Sequence, residues 1–250
     1  MAHIEEDRLD HLRTEVENIS RTLGAQHGVG STRDELLHSA RRIVAFIDSM
    51  HISQEPRIER KQLELIEALQ NLAYYDADSG GVKDLAEWCM QKWLTVLEED
   101  PENWQALKGL GHAWLFKSQV SLAKIHGKEE SAVSTMELPR PSSGEHHSKM
   151  DDENVLHGAD YVEARGTLQP STEYFSRAVR AAEKKHELTG ELLVLAAESF
   201  MSLGNVSYPD TSMQYFTQAV EYLRMAEAIP GYSLPAHLSQ YLQEYGRLIP

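Results

Sequence analysis

Apolar residues recur three and four positions apart along most of this chain, which is the spacing of one face of an α-helix. The clearest example lies between Trp88 and Trp114, where Pro101 separates two such runs. Because proline ends a helix and only a short polar stretch joins the runs, we expect two antiparallel helices here. No stretch shows the alternation of a half-buried strand. The pattern therefore predicts an all-α fold.

The N-terminal stretch carries a heptad-like apolar seam. Residues 4–23 are expected to form one helix, with charged residues at most positions outside the seam. Such a seam either packs on the body of the same chain or joins copies in a homo-oligomer. We favour packing on the same chain, because the seam is shorter than four heptads. The seam residues are Leu9, Leu12, Val16, Ile19 and Leu23.

Breaks in the apolar pattern divide the chain. Three glycines between Gly24 and Gly30 end the first helix, and from Gly127 the periodicity gives way to polar and prolyl residues. The four expected segments are an N-terminal amphipathic helix (1–28), helical hairpins (29–126), a disordered insertion or loop (127–157) and C-terminal helices (158–250).

Two residues predict helix boundaries in the C-terminal segment. Gly166 is expected to end a short helix, and Pro170 is expected to begin a longer one. Proline is tolerated in the first turn of a helix, and glycine commonly follows the last turn. We therefore expect one helix that ends at Gly166 and a second helix that begins at Pro170.

Around Trp114 the chain resembles the tetratricopeptide repeat, a pair of antiparallel helices about 34 residues long. The resemblance lies in the W-x2-L-G-x2-Y pattern of the family's first helix. The matching residues are Leu107, Leu110, Gly111 and Trp114, with Cys89, Trp93 and Pro101 upstream at the family's Ala, Phe and Pro positions. A weaker second match comprises Leu193, Ala196, Ala197 and Phe200.

The resemblance implies an α-solenoid, a right-handed stack of antiparallel helix hairpins. Small residues at Gly111, Ala178 and Ala219 would let neighbouring helices approach closely. The resemblance also implies that the protein binds a segment of another protein in a groove lined by the first helix of each pair.

Five residues are expected to contact such a partner. They lie on two inferred groove helices and are Trp104, Lys108, His112, Glu191 and Glu198. One subclass of the family grips the C-terminal carboxylate of a chaperone with lysine, asparagine and arginine. Lys108 falls at its lysine, but His112 replaces its asparagine and Val194 replaces a polar residue. We therefore do not expect binding of a chaperone tail.

The charge of the chain limits its partners. The formal net charge is −15, and an acidic surface repels phosphate, so nucleic acid and anionic membranes are poor partners. A partner with a basic segment is favoured, although acidity also serves solubility alone. No secretory signal or membrane span is recognisable, and Cys89 is the single cysteine. These features predict a cytoplasmic or nuclear protein.

Motifs of catalysis or cofactor binding were not found. The chain contains no Gly-rich phosphate loop, no His-Glu-x-x-His and no Gly-x-Ser-x-Gly. We therefore expect no catalytic residues, no cofactor and no metal, and the uneven context of His146 and His147 argues against a metal there. The sequence predicts an adaptor, assembly factor or complex subunit. The alternatives are a helical enzyme with scattered His and Glu residues, or a self-assembling structural protein.

Overall fold

The computed structural model of the chain describes residues 2–25, 30–49, 55–135 and 155–248. These residues form α-helices joined by turns and contain no β-strand, which confirms the predicted all-α class. A short 3-10 helix, Gly246–Leu248, follows the last α-helix. The helices are α1 (Ala2–Ala25), α2 (Gly30–Asp48), α3 (Pro56–Ala73), α4 (Lys83–Glu99), α5 (Trp104–Thr135), α6 (Ala159–Lys184), α7 (Gly190–Asn205), α8 (Pro209–Glu227) and α9 (Ala236–Tyr245).

The chain divides into two compact units, Met1–Ala113 and Trp114–Pro250. The boundary falls within α5, so the first turns of this helix belong to the first unit and the remainder to the second. Each unit has its own set of buried apolar side chains. The four-segment division expected from the sequence stays a prediction.

In the first unit, α1 packs against α2 and α3. The seam residues Leu9, Val16, Ile19 and Leu23 are at most 6% exposed, and Leu12 is partly buried. Burying each such side chain contributes about 1.5–3 kcal/mol. The seam therefore packs on the same chain, as expected. A homo-oligomer through these residues stays a prediction, and it would first require these contacts to open.

Helix α3 contacts both α1 and α4 and is the centre of the first unit. It begins at Pro56, where a missing N–H costs no helical hydrogen bond. After α3 the chain turns through Gly81, which has a φ of +68°. A Cβ at Gly81 would lie 2.4 Å from the carbonyl oxygen of Ala73, so only glycine fits this turn. In the sequence, the run Asp78-Ser79-Gly80-Gly81 is typical of a turn, and the structure confirms the turn.

Helices α2 and α4 are joined at their surfaces by ion pairs. Arg41 Nε donates to Asp84 Oδ2 at 2.7 Å. Asp48 Oδ1 accepts from the indole nitrogen of Trp88 at 2.9 Å and lies 2.8 Å from Nζ of Lys92. These contacts place α2 beside α4, while α1 lies beside α3.

Three residues form a polar junction where α3, α4 and α5 meet. Gln70 and Trp93 are at most 1% exposed. The indole nitrogen of Trp93 donates to Oε1 of Gln70 at 2.8 Å, and Nε2 of Gln70 donates to the carbonyl oxygen of Gly109 at 3.0 Å. A Cβ at Gly109 would lie 2.4 Å from Cε2 of Trp93. The sequence indicated Gly111 for a close helix approach, and the structure shows one at Gly109.

In the second unit, α7 contacts both α6 and α8, and α9 contacts α8. The hydroxyl oxygen of Thr189 caps α7 by accepting from the backbone N–H of Leu192 at 3.2 Å. Phe175 of α6 is fully buried, and so are the small residues Ala178 and Ala219. The core of this unit therefore forms where these helices face one another.

The boundary predicted at Gly166 and Pro170 is wrong, because α6 is continuous from Ala159 to Lys184. Ala164, Leu168 and Phe175 recur on one face of this helix and are all fully buried. Pro170 removes the hydrogen bond to the carbonyl of Gly166, but Gly166 is exposed and its carbonyl can bond water. The free energy gained by burying this face along the whole helix thus outweighs the local preference of Gly166 and Pro170 for a helix boundary.

Helix α5 extends past residue 127, where the sequence predicted that the insertion begins. Helix α5 continues to Thr135, so residues 127–135 are helical. Contacts with α6 support this end of α5: Tyr161 donates to Glu129 at 2.8 Å, and Lys128 pairs with Asp160. Residues 136–154 of the expected insertion lie outside the described residues.

Candidate functional site

Three of the predicted partner-binding residues lie on one face of α5 in the first unit. Trp104, Lys108 and His112 are spaced four apart, which places them above one another on a helix. Nζ of Lys108 donates to Oε1 of Glu67 on α3 at 2.7 Å and lies 6.0 Å from the ring centroid of Trp104. The Lys108 side chain is 18% exposed. Its charge is thus already paired with a carboxylate.

The imidazole of His112 is neutral at physiological pH. Burial, followed by the nearby ammonium of Lys108, lowers the pKa of His112 to about 4. Part of the residue is still exposed at the surface. A partner would therefore meet His112 as an uncharged ring.

We predict that His112 makes the first unit lose stability as the pH falls from 6.5 toward 4. The ordinary pKa of 6.5 holds in the unfolded chain, so in this range the unfolded chain binds more protons than the folded one. The stability is present above pH 6.5 and is lost as the pH falls through the folded pKa, by about 2 kcal/mol for a partly exposed ring. Urea unfolding at several pH values measures this loss.

Two histidine variants separate this effect from the titration of carboxylates. The loss of stability between pH 6.5 and 4 should be smaller in His112→Gln than in the wild type. It should persist in His38→Gln, which changes an exposed histidine of α2. If the free energy of unfolding falls equally with pH in His112→Gln and in the wild type, His112 is not the cause of the loss.

A groove of about 440 Å³ lies between α1 and α3 in the same unit. Seven of its eight lining residues are polar or charged, and they include three carboxylates and two guanidinium groups. Arg13 crosses the groove and donates to Glu64 at 2.7 Å. The lining residues are Arg13, Glu17, Ser20 and Arg21 of α1 with Glu64, Glu67, Ala68 and Asn71 of α3.

The groove connects to the predicted residues of α5 through Glu67. This side chain lines the groove and also accepts the hydrogen bond from Lys108. Asn71, one turn further along α3, is exposed. An exposed amide offers both a donor and an acceptor, which suits the backbone of an extended peptide. The first unit therefore has a polar groove with α5 as its neighbour.

Sequence reasoning placed partner contacts on α5 and missed the groove residues of α1 and α3. The sequence does contain a pattern that points to them: Arg13, Glu17 and Arg21 are spaced four apart beside the apolar seam, so they lie on one face of the helix. Glu67 and Asn71 have the same spacing on α3. The sequence could not reveal that these two polar rows face one another, because helix pairing is decided by tertiary packing.

The other two predicted residues, Glu191 and Glu198, lie on α7 in the second unit. Glu191 is exposed, whereas burial raises the pKa of the partly buried Glu198. Nε2 of His237 lies 3.9 Å from Oε1 of Glu198. Burial and then these two carboxylates raise the pKa of Tyr232, whose ring lies against the backbone of Gly190. Glu191 and Glu198 thus share an acidic, partly aromatic surface.

Within the described ranges, no group of three His, Cys, Asp or Glu residues is arranged to hold a metal ion. Cys89 is fully buried, and this burial raises the pKa of its thiol, as expected of a small core residue. His146 and His147 lie outside the described residues. Among the helices that the structure describes, none combines the length and apolarity needed to cross a membrane.

Comparison with known proteins adds no relative. No protein-family model, curated protein or solved structure matches the chain.

Proposed function

We propose that the chain is a non-catalytic protein-binding module, acting as an adaptor, assembly factor or complex subunit. The observation that carries this proposal is the polar groove between α1 and α3. In this proposal the groove holds a segment of the partner. Trp104, Lys108 and His112 on the neighbouring face of α5 extend the contact.

The order of helices in the first unit supports a stack of hairpins like that of tetratricopeptide repeats. Helices α1 and α2 are consecutive, as are α3 and α4, and the first members of the two pairs contact each other. The second members are joined by the Arg41–Asp84 and Asp48–Lys92 pairs. In such a stack, the first helices line one surface, where an extended binding groove forms.

Charge supports a partner segment rich in lysine or arginine. The chain carries a formal net charge of −15. Long-range attraction would speed the approach of a basic segment and would fade at high salt. Glu191 and Glu198 give the second unit a further acidic surface for the same partner class.

The proposal is tested by changing the groove while sparing the core. We expect Asn71→Arg to weaken binding of a partner isolated with the full chain by about tenfold, because a bulky cation enters the groove and repels a basic segment. The matched control is Asn205→Arg, which changes an exposed asparagine of α7 outside the groove and should shift the Kd less than about twofold. Isothermal titration calorimetry measures both.

Two outcomes test separately whether the groove is the binding site and whether the partner segment is basic. Equal affinity of the Asn71→Arg variant and the wild type would reject the groove as the binding site. Affinity unchanged between about 50 mM and about 500 mM NaCl would reject the basic partner while leaving the groove in place.

A further inference from the structure

Helix α6 contains a weak stretch between its two halves. Pro170 lacks the N–H that would bond the carbonyl of Gly166, and Gly166 is exposed, with no atom near the place of a Cβ. The hydroxyl of Thr167 donates to the carbonyl oxygens of Glu163 at 3.1 Å and Ala164 at 3.0 Å. Proline and such back-bonding hydroxyls are known causes of helix bending. The helix ladder is therefore weakest at residues 166–170.

The segment before this stretch, residues 155–166, is held mainly by polar contacts. Val155 and Val162 are each 53% exposed, whereas Ala164 is fully buried. Lys128 of α5 pairs with Asp160, and Tyr161 donates to Glu129 at 2.8 Å. After the weak stretch, by contrast, α6 buries Phe175 and most of its apolar face. Segments with little apolar burial open at low free energy.

Arg165 fastens this segment to the turn between α7 and α8. Its Nη1 donates to the carbonyl oxygen of Val206 at 2.6 Å, and its Nη2 donates to that of Leu156 at 2.8 Å. The guanidinium also lies 4.7 Å from the ring centroid of Tyr208, whose hydroxyl is 3.0 Å from Nδ1 of His157. One side chain therefore joins the two ends of the segment to each other and to the turn between α7 and α8.

We propose that residues 155–166 form a strap that opens about a hinge at residues 166–170 while the rest of the second unit stays folded. Arg165 is the latch that keeps the strap closed. Opening breaks its bond to Val206 and uncovers Ala164 and Val206, which are at most 2% exposed in the closed form. The fold thus contains a conformational device at the start of α6.

Hydrogen–deuterium exchange of the full chain, read by mass spectrometry, tests the latch. In Arg165→Gln, amides in residues 157–166 should exchange at least about tenfold faster, because charged hydrogen bonds that hold the strap are lost. Amides in residues 171–184 should keep their wild-type rates. The matched control is Arg177→Gln on the same helix, since Arg177 lies over the Tyr174 ring beyond the hinge. It should leave the strap unchanged.

A second variant tests the hinge and does not depend on the first. Pro170→Ala restores the missing donor, so exchange in residues 163–169 should be slower than in the wild type. Three results would overturn the proposal: wild-type exchange in Arg165→Gln, acceleration spread evenly over the second unit in that variant, or no slowing in Pro170→Ala.

Discussion

Replacing Gly109 with alanine is expected to destabilise the first unit by about 2 kcal/mol or more. The added Cβ would lie 2.4 Å from Cε2 and 2.6 Å from Nε1 of Trp93. The indole is 1% exposed and hydrogen-bonded to Gln70, so it cannot move aside without losing packing and its bond. This cost exceeds the helix propensity that alanine gains over glycine, about 1 kcal/mol. Urea unfolding followed by circular dichroism measures the change.

A matched control and a double variant isolate the clash. Gly127→Ala lies on the same helix, with nothing within 4 Å of the new Cβ, and should be neutral or stabilising by up to about 1 kcal/mol. In a Trp93→Ala background the clash is absent, so Gly109→Ala should no longer destabilise. If the variant costs the same in both backgrounds, the close approach to Trp93 is not the cause.

Replacing Gln70 with leucine is expected to destabilise the first unit by about 3 kcal/mol. The change keeps a similar volume but removes the acceptor of the Trp93 indole and the donor to the Gly109 carbonyl. Gln70 is fully buried, so water cannot replace these bonds. A buried donor without a partner costs about 1–3 kcal/mol, and removing the amide affects two groups. The same unfolding measurement applies.

A double variant tests whether the loss comes from the Trp93 indole N–H that is left without an acceptor. In the double variant Gln70→Leu with Trp93→Phe, both the donor and its acceptor are absent, so the loss should be smaller than the sum of the single losses. Gln91→Leu, at an exposed position of α4, should change the stability by less than about 0.5 kcal/mol. Strict additivity would show that the hydrogen bond contributes little.

Part of the candidate site could be predicted from the sequence. The spacing of Trp104, Lys108 and His112 predicted that they share a helix face, and the structure places them on α5. The partner of Lys108 could not be predicted, because Glu67 is 41 residues away and its approach depends on how α3 packs beside α5. For the same physical reason the groove between α1 and α3 was missed.

The sequence by itself determined the all-α class, the turn at Gly81 and the apolar face of α1. These are local properties, since periodic apolar residues and a glycine in a tight turn constrain a few neighbouring residues. Tertiary structure decided what local rules could not. Burial of Ala164, Leu168 and Phe175 kept α6 continuous through Pro170, and contacts with α6 accompany the continuation of α5 past residue 127. The free energy of burying a shared face exceeds the cost of one lost hydrogen bond, so packing overrides local propensity.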